Sequence, residues 1–162
     1  SWVQVLMLQK KFEEGLKALK AARQNGLKDP VLELATIEIQ IKANKPVEWS
    51  RVETVQRTHG PSLFAKAQYL KAMGLRLNSK AVEAGSLLEG YLDGMPTSVI
   101  PEQRASLWCE LGNTYWETSR KDEAVAAYQL GLDASPRNTE CIKQLCARSA
   151  GALKDKACRL RQ

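Results

Sequence analysis

The sequence predicts an all-α fold built of antiparallel helix hairpins, about five helical pairs, as a single domain over residues 1–162. Three observations predict it. Apolar residues recur three and four apart along nearly the whole chain, as one buried face of an α-helix requires. Short breaks rich in Asn, Gly, Pro and Ser divide those stretches into helix-sized lengths. No segment of any length shows the apolar–polar alternation of a strand.

Taken in order, SWVQVLMLQ reads as the end of one helix and KKFEEGLKALKAARQNG as the next. The second carries Phe12, Gly15, Leu16, Leu19 and Ala22 as its apolar stripe, and Asn25 with Gly26 stops it. The chain starts inside an apolar stretch with no cap, so it reads as an excerpt or as a truncated first unit. Trp2, Val5 and Leu6 would then form an uncovered apolar face, which favours a homodimer through the N-terminal end. Asp29 and Pro30 open a helix to about Ala43, with Leu34, Ile37 and Ile41 on one side and Leu32, Ala35 and Ile39 on another. Asn44, Lys45 and Pro46 break it. A polar helix follows to about His59 with Trp49, Val52 and Val55 inward, and Gly60 with Pro61 ends it. Leu63, Ala67, Leu70, Gly74 and Leu77 line the next helix. After Asn78 and Ser79, Ala81, Ala84, Leu88, Tyr91 and Leu92 line another. DGMPTSVIP, residues 93–101, is the longest break.

The clearest unit spans residues 105–138. Helix A is expected from about Glu102 to Thr118 and helix B from about Lys121 to Ala134. Trp108, Leu111 and Tyr115 share one face of helix A. Ala124, Tyr128 and Gly131 do the same on helix B. Gly112 and Ala124 are small where two helix axes must approach, and Tyr128 fills the space beside them. Pro136 cannot continue helix B and forces the next turn. Trp108, Leu111, Gly112, Tyr115, Ala124, Tyr128 and Pro136 thus stand in the order W-x2-L-G-x2-Y, A-x3-[FY], P on a 34-residue period. This resembles the tetratricopeptide repeat. Gly131 departs from the family, which usually has alanine there. Beyond it, Ile142, Leu145 and Cys146 fall at the Trp, Leu and Gly positions of a further repeat. Ser149 replaces its Tyr, so residues 139–162 read as a degraded repeat or capping helices.

The resemblance implies a right-handed superhelical solenoid whose A helices line a concave binding face. The family's ligand-facing positions map to Ser106, Cys109, Asn113, Trp116 and Glu117, with Asn113 and Trp116 as the main expected contacts. Packing against the helix after Pro136 is the alternative role for Trp116. The family's carboxylate clamp needs a basic residue where Cys109 stands and a second Asn where Gln144 stands, so no clamp is expected. The implied function is a non-catalytic protein–protein interaction scaffold or adaptor. It would bind a peptide or helix and help assemble a multiprotein complex, as a domain of a longer chain that could carry a membrane anchor elsewhere. A regulatory repeat arm of a larger enzyme is the remaining route to catalysis.

Composition narrows the classes further. The net charge of +6 is uneven: residues 137–162 hold seven basic and two acidic side chains. An electrostatic contact through Lys154, Lys156, Arg159 and Arg161 to nucleic acid or another acidic partner is the second reading. A solvated capping helix is the simpler one, because no aromatics interleave with the charges. Cys109, Cys141, Cys146 and Cys158 match no zinc spacing and contain no C-x-x-C. They are expected to be ordinary helix cysteines in a reducing compartment, a reading preferred over metal or disulfide roles. The one histidine, His59, has no partner pattern for catalysis, and no Gly-rich phosphate loop follows a strand. No cofactor, no metal site and no enzyme activity are expected. No apolar run is long enough to span a membrane. The expected location is cytoplasmic, or the cytosolic face of a membrane-associated assembly.

Overall fold

The structure, a computed structural model, describes residues 2–25 and 29–161, with the backbone alone over 2–8. Helices are the only regular elements among these residues. They are α1 (Trp2–Gln24), α2 (Pro30–Lys42), α3 (Trp49–Thr58), α4 (Pro61–Leu77), α5 (Ala81–Asp93), α6 (Pro101–Glu117), α7 (Lys121–Ala134), α8 (Thr139–Arg148) and α9 (Gly151–Leu160). The all-α helical-repeat architecture is as expected.

One element differs. The sequence predicts a break between Gln9 and Lys10, but α1 runs through it. Lys10 and Lys11 are good helix formers, and no Gly, Pro or Asn interrupts the backbone there. The side chains of the expected apolar face at Trp2, Val5 and Leu6 lie outside what is described, as does the stop at Gly26.

The helix ends repeat a single geometry. Asn44, Ser79 and Ser119 each take a left-handed backbone, with φ of 54, 63 and 64°. The next residue in each case donates its N–H five residues back: Lys45 to Gln40, Lys80 to Leu75 and Arg120 to Tyr115, all at 2.8 Å. Asn44, Ser79 and Ser119 donate three residues back, to Ile41, Arg76 and Trp116. This is the Schellman closure, which satisfies the last carbonyls of a helix. So α2, α4 and α6 end alike, and a basic residue follows the left-handed one each time. The N-termini of α2 and α8 are capped by side chains. Asp29 accepts from the Val31 N–H at 2.8 Å and Asn138 from the Cys141 N–H at 3.0 Å.

The chain forms two compact units, residues 1–70 and 71–162. In the first, Leu34, Ile37 and Ile41 of α2 and Val52 and Val55 of α3 are buried. Lys66 donates to Glu38 at 2.8 Å. In the second, α6 packs on α7 and α8 on α9. Leu111, Ala124 and Tyr128 are buried in the α6–α7 hairpin, while Trp108 and Tyr115 are half-buried. Leu77, expected inward, is exposed at the end of α4.

Sulfur contradicts the expectation most directly. Cys109 is joined to Cys141, and Cys146 to Cys158. The first bond ties α6 to α8 and the second ties α8 to α9. The expectation of ordinary helix cysteines came from spacings within single helices. The pairs are made across helices, which such spacings do not register.

The helix A face of residues 105–138

Helix α6 gains its site character from polar groups placed among its small residues. A Cβ on Gly112 would stand 2.5 Å from the Tyr128 ring, so this glycine is what lets α7 approach. That approach delivers the Tyr128 hydroxyl to Asn113, whose side-chain oxygen accepts from it at 2.7 Å. Arg148 of α8 completes the cluster, donating to the Tyr128 hydroxyl at 2.8 Å and to the Asn113 oxygen at 3.5 Å. Burial pushes the Tyr128 hydroxyl up to about 12, with the Arg148 charge pulling the other way. It therefore stays a hydrogen-bond donor.

One turn earlier lies a second cluster. Glu110 is 2% exposed. Arg76 of α4 donates to it through Nε, and to Glu117 through Nη1 at 2.8 Å. Burial pushes the Glu110 carboxyl up, against the pull of Arg76 and of an Asn113 hydrogen bond. Glu110, Asn113 and Glu117 are spaced three and four apart and share a helix face. Arg76 of α4 pairs with both ends of that row, and Arg148 of α8 reaches its middle at Asn113.

The five expected contact residues divide. Cys109 is 1% exposed and bonded to Cys141, so it offers no ligand contact. Asn113 is 6% exposed, and its side-chain oxygen is committed to Tyr128 and Arg148. The expectation of an open amide is corrected: Gly112 draws the tyrosine in beside it. Ser106 is half-buried and donates to its own helix at Glu102. Glu117 is exposed but paired with Arg76. Trp116 is half-buried against the hairpin core. The Arg148 guanidinium lies 5.0 Å and the Lys121 ammonium 5.1 Å from its ring centre. Packing and partial exposure are therefore both present at Trp116.

Sequence reasoning missed Arg76, Glu110 and Arg148. A charged residue within the tightly packed stretch of α6 was the available signal for Glu110. Nothing local marked its partner 34 positions away. The repeated helix ends were legible as Asn44 with Lys45, Ser79 with Lys80 and Ser119 with Arg120.

The basic segment lies on α9 and, at Arg161, its C-terminal cap. Lys154, Lys156, Arg159 and Arg161 are all exposed. Lys154 and Arg161 are seven apart and share one side. Lys156 and Arg159, three apart, share another. The charges are divided rather than aligned as a single stripe. Among the described residues no helix is long and apolar enough to cross a membrane. No group of three or more His, Cys, Asp or Glu there could hold a metal ion.

Neither curated proteins nor solved structures give a match to this chain. A family model does match, over residues 105–138, and these are the residues of the α6–α7 hairpin with its flanking turns. Gly112, Ala124 and Tyr128 pack there as its spacing demands, and the hairpin is a tetratricopeptide repeat.

Proposed function

We propose that this chain is a non-catalytic interaction module that holds a protein or peptide partner and helps assemble a complex. The tetratricopeptide repeat at residues 105–138 is the observation that supports it, since stacked repeats of this kind present extended binding surfaces. On this reading Trp116 is the anchor. It is a half-exposed aromatic ring with a guanidinium and an ammonium beside it, the type of residue that dominates interface energies. Asn113, Tyr128 and Arg148 set the ring's surroundings rather than touching the partner.

Nucleic-acid binding through Lys154, Lys156, Arg159 and Arg161 is the weaker reading, because their division over two sides of α9 leaves no continuous basic track. The location also shifts. Four paired cysteines favour an oxidising compartment over the reducing cytoplasm.

Affinity capture from source-cell lysate, with and without nuclease, tests the reading. The bait is the chain beside its Trp116→Ala variant, both checked for the same helicity. Proteins retained by the parent and lost from the variant are expected, with nuclease making no difference. Equal retention by both baits would remove Trp116 as the anchor. Retention abolished by nuclease would move the function to α9.

A further inference from the structure

We infer that the Cys146–Cys158 bond is a thiol–disulfide exchange site for a dithiol reductant, which governs whether α9 stays docked, while Cys109–Cys141 is a closed bond. This does not depend on what the module binds.

The two bonds differ in access. Cys109 is 1% exposed and Cys141 0%. They belong to a buried cluster with Ala124, Tyr128 and Leu145, and Cys141 Sγ sits directly against Gly131. An attacking thiolate must reach a sulfur, and exchange rates follow that access. Here access requires opening the α6–α7–α8 packing. Cys146 and Cys158 are both partly exposed.

The outer bond also has more to hold. Helix α9 buries only Ala157, with Leu153 packed partly against the same core. A ten-residue helix is marginal without tertiary support.

The chemistry balances as follows. One thiolate of the dithiol attacks Cys146 Sγ, the S–S bond breaks, and Cys158 departs as a thiolate that takes up a proton. The second thiolate of the dithiol attacks its own mixed sulfur, releasing Cys146. The chain gains two electrons and two protons, and the dithiol becomes a disulfide. Helix α9 then keeps only Ala157 and the partly packed Leu153 as apolar anchors against α8, and comes away with Lys154, Lys156 and Arg159.

Stepwise reduction of the oxidised full chain with dithiothreitol, quenched by alkylation and read by peptide mass, tests this. Cys146 and Cys158 should be labelled at least about tenfold faster than Cys109 and Cys141. Trypsin should gain access to Lys154, Lys156 and Arg159 in step with that labelling. A Cys146→Ser, Cys158→Ser double variant should show the same tryptic sensitivity while Cys109 and Cys141 stay unlabelled. Four cysteines labelled together, the inner pair labelled first, or a mass map with other linkages would overturn the inference. So would a double variant whose α9 resists trypsin as the oxidised parent does.

Discussion

Residues 1–70 and residues 71–162 solve the problem of burying helices with different materials. Among the described residues, the first unit buries aliphatic side chains: Leu34, Ile37, Ile41, Val52, Val55, Ala65, Ala67 and Leu70. No polar or charged residue there is buried. The second also buries aliphatic side chains, among them Leu88, Val99, Leu107, Leu111, Ile142 and Leu145, and adds close-packed glycines, Tyr128, Glu110, Asn113, Thr114 and the sulfur pair of Cys109 and Cys141. Aliphatic side chains interchange at modest cost if volume is kept. A core of that kind leaves only a periodicity in the sequence. A close helix approach admits small residues at fixed positions and nothing else, so it leaves a motif. The family match, over residues 105–138, falls in the second unit, where Gly112 and Ala124 hold such positions.

Removing one partner of the buried ion pair should break the contrast most. Arg76→Ala leaves the Glu110 carboxylate buried without its cation, at about 3–5 kcal/mol measured by urea unfolding. Pairing Arg76→Met with Glu110→Leu should return most of that stability. A single variant costing under about 1 kcal/mol would show that the charges are not what the second unit depends on.

Glycine substitutions sharpen it. Gly112→Ala should cost about 1–3 kcal/mol, because the new methyl group meets the Tyr128 ring. Gly15→Ala, in the first unit, meets only the Ile39 Cδ1 tip at 3.3 Å. It should be neutral or gain up to about 1 kcal/mol from helix propensity. Equal effects at the two glycines in chemical denaturation would erase the distinction between the units.

The smallest effect concerns pH. Burial raises the Glu38 carboxyl, but Lys66 and Lys42 outweigh burial and hold it below its ordinary 4.5. The folded value is the lower one. Its contribution is therefore present above the ordinary value and is lost as pH falls through the folded one. Thermal midpoints of the parent and of Lys66→Met should converge as acid is added. A constant gap between them down to about pH 2 would sink the assignment.

Legibility followed the same division. The hairpin α6–α7 could be read because Trp108, Gly112, Ala124, Tyr128 and Pro136 answer to one local geometry. The ends of α2, α5 and α7 could be read from their turn residues. Asn113 could not, since its burial depends on how closely Tyr128 approaches, and an asparagine at that spacing looks the same open or closed. Arg76 with Glu110, and the two sulfur pairs, join different helices and left no local trace. The continuity of α1 was missed because the residues up to Gln9 and those from Lys10 were assigned to different helices, although no turn residue separates them.

Gly131 has no room for a β-carbon: one built there would overlap Cys141 Sγ, with Cys109 Sγ 3.3 Å away. A side chain at residue 131 and the inner sulfur pair therefore compete for the same space. By giving up its side chain, this position lets the sulfur sit against α7, so the repeat's own hairpin provides the seat for the bridge that fastens the following helix to it.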